Sequence, residues 1–180
     1  MEGKRIIIAA NNTDDSKSVT KQVGEWMGEL RGRADPTVLY VVDEALIGRA
    51  ALADDEYFDI GTRRDAVLEK AVRDGEAYLQ ELKGVYGGEG IEVETRLRLG
   101  NPAREIVREA RESDAYAIVI GTHNRSSVSK ALFGSITNEV IRAAPCPVIV
   151  FTPKLLRLTD RVKQGLSVRV RKFDAFLSGP

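Results

Sequence analysis

Short apolar runs alternate with amphipathic stretches along most of the chain. Residues 6–10 form the first apolar run and residues 37–42 form the second. Uninterrupted runs of this length are typical of strands that are buried on both faces of a parallel sheet. Between them, apolar side chains recur at helical spacing. These are Val19, Val23, Trp26, Met27 and Leu30. The pattern predicts a strand–helix–strand unit, with Asp15 or Ser16 as the helix cap and Pro36 marking the end of the loop before the second strand.

The remainder of the chain continues this alternation after one irregular stretch, residues 43–62, which we interpret as a functional or mobile loop. A helix is predicted over residues 63–83 and ends at Gly84. Residues 91–99 alternate apolar and charged positions, which indicates a strand with one wetter face. Asn101 and Pro102 cap and open the next helix. The remaining predicted elements are a strand at 117–120, a helix at 135–143 and a strand at 148–151.

This succession of strands and helices predicts an α/β fold. Helical connections between successive strands are typical of a parallel sheet that is covered by helices on both faces. We therefore expect one doubly wound, Rossmann-like domain with a five-stranded parallel sheet, over residues 1–153. Residues 154–180 follow as a C-terminal extension.

Composition narrows the class of protein. The chain has 180 residues, of which 43% are hydrophobic, and this share is ordinary for a globular protein. Its single cysteine, Cys146, excludes an internal disulfide framework, and its single histidine, His123, excludes a site with several histidines. No apolar run reaches the ~18 residues that a membrane helix needs, and the first residues do not resemble a signal peptide. The expected location is the cytoplasm.

Charge is distributed unevenly, although 27 basic and 27 acidic residues balance overall. Residues 154–180 carry seven basic and two acidic side chains, so residues 1–153 are net acidic. Apolar residues of the extension also keep helical spacing in its first half. We interpret it either as an appendage that packs on its own chain or on a partner subunit, or as a basic docking element for an acidic protein, an anionic lipid or a nucleic acid.

Candidate binding residues lie where the predicted strands end. Ligands of open parallel sheets bind beyond the carboxyl ends of the strands. Here one strand runs into Asn11, another into Asp43, and a third into Gly121, followed by the loop that leads to Gly134. Glycine turns and a helix start offer main-chain N–H groups to a phosphate, and Ser135, Thr137 and Arg125 add hydroxyl and guanidinium donors. Ordinary turns and caps would give the same pattern, because neither a Rossmann fingerprint nor a Walker A loop is present.

Three motifs resemble the universal stress protein (UspA-like) family. Gly121, Asn124 and the Gly134–Ser135 pair have the spacing of that family's nucleotide loop. Residues 117–123 resemble its fourth strand, and residues 134–150 resemble its closing helix and strand. The resemblance covers about residues 3–153. Asn11 and Asn124 stand where the family usually has aspartate and glycine.

The resemblance implies a site for an adenine nucleotide, ATP, which can bring Mg²⁺ with its phosphates. Three positions at the end of the first strand would line the adenosine, and the main chain of Val41 would meet the adenine edge. The remaining positions would surround the ribose and the phosphates. In chain order, the implied binding residues are Ala9, Ala10, Asn11, Val41, Gly121, His123, Asn124, Arg125, Gly134, Ser135, Ile136 and Thr137.

The resemblance also implies a stress or regulatory protein that signals through conformation and dimer contacts to an unknown protein partner. The homodimer would form through the edge strand 148–151. Two rivals remain: a family member that acts by association alone, and a slow ATPase or phosphotransferase. No catalytic group is identified, so any hydrolysis is expected to be slow.

Two further positions have more than one interpretation. Asp43, at a strand end, positions a cation, pairs with a base edge or marks a solvated turn. Cys146, between two prolines, is either a small structural residue or a redox thiol, and the absence of a basic neighbour in sequence favours the former.

Overall fold

The computed structural model describes residues 3–11, 16–30, 33–52, 60–121 and 134–151. They form five strands and five helices. In chain order these are β1 (Lys4–Ala10), α1 (Ser16–Glu29), β2 (Ala34–Asp43), α2 (Glu44–Leu52), α3 (Ile60–Gly88), β3 (Glu94–Gly100), α4 (Pro102–Glu112), β4 (Ala117–Gly121), α5 (Ser135–Ala143) and β5 (Val148–Phe151). Asp15 and the C-terminal extension lie outside the described residues.

The five strands form one parallel sheet in the order β3-β2-β1-β4-β5. The chain first builds outward from β1 to β3, and then crosses to the other side of β1 to add β4 and β5. The strand order therefore reverses between β1 and β4, which is the position where doubly wound sheets bind ligands. The predicted fold class is confirmed.

Helices cover both faces of the sheet, and each face has its own core. Ile6 and Ile8 of β1 face α1 and α3, and Ile7 faces α4 and α5. This alternation follows from the pleat, which points successive side chains to opposite faces. Both faces of β1 are apolar because both are buried, so the strand appears in the sequence as an unbroken apolar run.

The strand predicted over residues 91–99 begins only at Glu94, and three other predicted boundaries are also wrong. The stretch at 43–62 contains helix α2 and the start of α3. Helix α3 continues past Gly84 to Gly88, because Tyr86 on that last turn is 1% exposed and packs in the core. Strand β2 begins at Ala34, so Pro36 lies within the strand. The proline is tolerated there because β3 starts beside the following residue, Thr37, so on that side β2 has no hydrogen-bonded neighbour at Pro36.

The charged face of β3 is largely paired with helix α4. Arg98 Nε donates to Glu109 Oε2 at 2.6 Å, and Arg96 Nε lies 3.4 Å from Glu109 Oε1. Glu105 and Glu112, one turn before and one turn after Glu109, also pair with Arg98. The hydrogen bonds from Arg108 and Arg98 lower the pKa of Glu112. The alternating charges of β3, which predicted a solvated face, thus belong to a charge cluster across the β3–α4 interface. Glu109 at the centre of this cluster is buried.

Strand β5 forms one edge of the sheet and differs from β3 at the other edge. Its four residues are uncharged and half-buried, whereas β3 carries three charged side chains. At the end of β5, the ring of Phe151 lies 5.9 Å from the ring of Trp26 on α1, measured between centroids. One edge is therefore protected by charge, and the other is apolar.

Two glycines of α3 are expected to respond in opposite directions to alanine. A Cβ at Gly75 would lie 2.8 Å from Cε1 of Tyr40 and 2.9 Å from Cδ1 of Leu97, whereas a Cβ at Gly84 would meet no atom within 4 Å in the part of the chain that the structure describes. Alanine in an exposed helix interior stabilises by about 0.5–1 kcal/mol, but overpacking costs about 1–3 kcal/mol. Gly84→Ala should raise the free energy of unfolding and Gly75→Ala should lower it, in urea titrations followed by circular dichroism. Equal effects at both positions would contradict the close approach of α3 to the sheet.

Candidate functional site

The carboxyl end of β1 lies in a notch of the sheet. Strand β1 ends at Ala10, which pairs with Tyr40, while β2 continues for three more residues beside β3. On the other side, β4 ends at Gly121, one residue beyond its last pairing with β1. The main chain of Val41 therefore extends past β1 at the side of the notch. This arrangement leaves main-chain groups of β2 facing the end of a shorter strand.

Helix α5 begins at the same edge of the sheet, because it must lead from the end of β4 back to the start of β5. Its N-cap is Gly134, with φ −66° and ψ 166°, and the first helical hydrogen bond runs from Asn138 N to Gly134 O at 3.0 Å. Glycine has no side chain to accept the N–H groups of the first turn. In α4, by contrast, Asn101 Oδ1 accepts from Arg104 N at 3.0 Å. The first turn of α5 thus offers N–H donors and a positive dipole end to an anion.

The structure places most of the predicted binding residues at this edge. Ala9, Ala10 and Asn11 are half-buried at the end of β1, and Val41 and Gly121 are half-buried on the strands beside it. On α5, Ser135 and Ile136 follow the exposed Gly134, whereas Thr137 is only 4% exposed. His123, Asn124 and Arg125 lie outside the described residues.

Asp43 has a structural role that none of these interpretations included. Its Oδ1 accepts the main-chain N–H of Ala45 at 2.9 Å, so it caps the first turn of α2. An acidic cap followed by Glu44 and then by the buried Ile47 and Ala51 is a helix signal. That signal could have identified α2 from the sequence.

Tyr78 is a contact of the site that the sequence analysis missed. From α3, its hydroxyl donates to the main-chain oxygen of Asn11 at 2.7 Å. Tyr78, Leu82 and Tyr86 recur every four residues and all are buried. This spacing places the tyrosine on the core face of the helix, but it does not indicate which strand the hydroxyl reaches.

The cysteine that the sequence analysis considered as a redox thiol lies away from this edge. Cys146 is half-buried in the turn before β5, and burial raises the pKa of its thiol. A raised pKa disfavours the thiolate, which is the reactive form. Within the described ranges, no cluster of three or more His, Cys, Asp or Glu side chains could hold a metal ion.

An open groove of about 1080 Å³ lies at the opposite, amino end of the strands. Arg5, Asp35 and Glu92 are among its lining residues, and none of the predicted binding residues contributes to it. Its walls carry both signs of charge, so it does not favour an anionic ligand. The carboxyl edge remains the better candidate site, because it combines the strand-order reversal with the helix start.

Comparison with known proteins identifies related chains. The model of the Universal stress protein family matches residues 3–152. A universal stress protein of Methanothermobacter thermautotrophicus is 33% identical over 144 residues, which cover 73% of this chain and 92% of the relative.

Solved structures share the fold. A universal stress protein from Archaeoglobus fulgidus aligns with a TM-score of 0.56 and 26% identity, covering 82% of this chain and 92% of its own. A universal stress protein family protein from Arabidopsis thaliana, solved with AMP bound, aligns with a TM-score of 0.53 and 18% identity. The alignment covers 83% of this chain and 91% of the Arabidopsis chain. In the part of the chain described here, no helix combines the length and the apolar character that crossing a membrane requires.

Proposed function

The chain belongs to the universal stress protein family, and from this premise we propose that it is a regulatory protein that binds an adenine nucleotide, ATP, at the carboxyl edge of its sheet. The observation that carries the proposal is the glycine-capped start of α5 at the edge where the strand order reverses. The AMP bound by the Arabidopsis relative supports an adenine nucleotide as the ligand class.

In this proposal the main chain does most of the binding. The N–H groups of Ser135, Ile136 and Thr137 would face the phosphates at the helix start, where the dipole favours negative charge. The adenosine would lie over the end of β1, beside the main chain of Val41. His123, Asn124 and Arg125 are proposed to complete the site.

Mg²⁺, if used, would enter with the nucleotide. Phosphate oxygens supply its usual ligands, and the cation keeps several waters in such sites. Nothing in the proposal requires a metal site made by protein alone. Binding of Mg²⁺ is therefore tested together with binding of the nucleotide.

Calorimetric titration of the full chain with ATP, with and without Mg²⁺, tests the binding proposal. We expect saturable binding with one nucleotide per chain. GTP serves as the matched control, because it carries the same phosphates on a different base. An absence of heat with ATP at concentrations that saturate other nucleotide-binding proteins would favour the family member that acts by association alone. Nucleoside diphosphate released over hours would instead favour the slow ATPase.

We also propose a homodimer through β5. An uncharged edge strand with half-buried side chains can pair with another strand, whereas charges on an edge oppose such pairing. The contrast between β5 and the charged β3 supports β5 as the edge that pairs. The extension at 154–180 is proposed to pack on this dimer or on its own chain, and truncation after Thr152 followed by sedimentation tests that part.

Sedimentation equilibrium at micromolar concentration is expected to give the mass of a dimer. Val150→Lys places a charge on strand β5 and should shift the mass toward the monomer. Because Val150 also packs against the core, circular dichroism must show that the variant is folded. Leu99→Lys is the matched control, because Leu99 is 39% exposed on the opposite edge strand and its replacement should leave the dimer intact. A monomeric wild type, or equal effects of the two lysines, would contradict the assignment of β5.

A further inference from the structure

Tyr78 connects helix α3 to the end of β1 across 67 positions of the sequence. Its hydroxyl donates to the main-chain oxygen of Asn11 at 2.7 Å, a distance typical of a well-formed hydrogen bond. The tyrosine is 6% exposed, so little water competes for this contact. The contact therefore fixes the first residue after β1 relative to a helix that is distant in sequence.

The position of the hydroxyl is set by packing on two sides. The ring of Tyr40 on β2 meets the ring of Tyr78 edge-on, with centroids 5.7 Å apart and planes at 71°. Helix α3 approaches that ring closely at Gly75, where even a Cβ would lie 2.8 Å from Tyr40. Edge-on aromatic pairs have a preferred geometry, so the pairing fixes the orientation of the Tyr78 ring as well as its position.

The hydrogen bond acts on the peptide unit that leaves β1. A peptide unit is planar, so holding the oxygen of Asn11 also restrains the plane of that peptide unit. Asn11 and Tyr78 line a small hollow together with Ala9, Ala10 and Gly121, which are three of the predicted binding residues. A shift of Tyr78 would therefore tilt the main chain at the adenosine end of the proposed site.

We infer that Tyr78 is a positioning residue of the proposed nucleotide site, and that it transmits the occupancy of that site to helix α3. The inference rests on the proposed function, because it concerns the same site. A nucleotide over the end of β1 restrains the main chain at Asn11, and the hydrogen bond to Tyr78 passes this restraint to α3. Helix α3 is 29 residues long and carries an exposed, charged face, so this restraint reaches a surface that a partner can contact.

Tyr78→Phe removes the hydroxyl and keeps the ring against Tyr40. A single neutral hydrogen bond contributes modestly, so we expect the affinity for ATP to fall about fivefold. Hydrogen exchange measured by mass spectrometry supplies the second readout. In the wild type, saturating ATP should slow exchange in peptides covering residues 74–82. In Tyr78→Phe, also saturated with ATP, that slowing should be lost.

Tyr116→Phe is the matched control, because it deletes a tyrosine hydroxyl at the amino end of β4, away from the site. It should leave both the affinity and the ATP-dependent exchange of α3 unchanged. If wild type binds ATP and Tyr78→Phe behaves like it, the inference is overturned and the proposed function stands. If wild type binds no ATP, the proposed function fails, and this inference fails with it.

Discussion

Replacing Gly134 by aspartate is expected to lower the affinity for ATP at least tenfold while leaving the protein folded. The backbone at Gly134 has φ −66°, which any residue adopts, and an added Cβ would meet no atom of the described residues within 4 Å. Aspartate is a preferred N-cap, so the helix should keep or gain stability. Its carboxylate would, however, occupy the helix start that is proposed to face the phosphates, and like charges a few ångströms apart repel strongly near a protein surface.

Gly134→Asn separates charge from size. Asparagine has nearly the same shape and caps a helix equally well, but it is neutral. Its amide oxygen also accepts a first-turn N–H, so it should weaken ATP binding in calorimetric titration, but less than aspartate does because it adds no charge. Both variants should melt at or above the temperature of the wild type. An aspartate variant that binds ATP as tightly as the wild type would exclude the start of α5 from the phosphate site.

The second large effect is expected at Glu109. Its side chain is 2% exposed and pairs with Arg98, which is 18% exposed, and with Arg96. Removing one partner of a buried ion pair leaves an uncompensated charge and costs roughly 3–5 kcal/mol. Because Arg98 also pairs with Glu105 and Glu112, we expect Glu109→Ala to cost about 3 kcal/mol, the lower end of this range, in urea unfolding.

A control on α3 tests whether burial causes this effect. Glu69 pairs with Arg73 at 3.3 Å, but both side chains are mostly exposed. Exposed pairs contribute little, so Glu69→Ala should change the free energy of unfolding by less than about 0.5 kcal/mol. Comparable losses at both glutamates would show that the β3–α4 cluster does not depend on its burial.

The sequence predicts the layers of this fold better than it predicts where each helix and strand begins and ends. Strands β1 and β4 appear as apolar runs because both of their faces are buried, and burial of this kind leaves a local mark. The end of α3 has no such local signal. Gly84 suggests that the helix stops there, but the packing of Tyr86 against distant elements extends the helix beyond it. Tertiary contacts decide such ends, and they are not encoded by neighbours along the chain.

The same distinction applies to the site. That the ends of β1 and β4 share one edge follows from the predicted parallel sheet, and the structure brings them to that edge. The hydrogen bond from Tyr78 to Asn11 could not be predicted, because it joins two segments that only the packed sheet brings together. The buried pairing of Glu109 with Arg98 is hidden for a similar reason, since each residue alone resembles ordinary surface charge.

The ring contact between Trp26 and Phe151 gives the molecule an intrinsic optical reporter. Trp26 is the single tryptophan of the chain, and Phe151 is the last residue of the edge strand β5. The emission of the indole therefore originates beside the edge where a second copy is proposed to attach and where the C-terminal extension departs. Assembly at that edge can be followed by the wavelength of this fluorescence in the unlabelled protein.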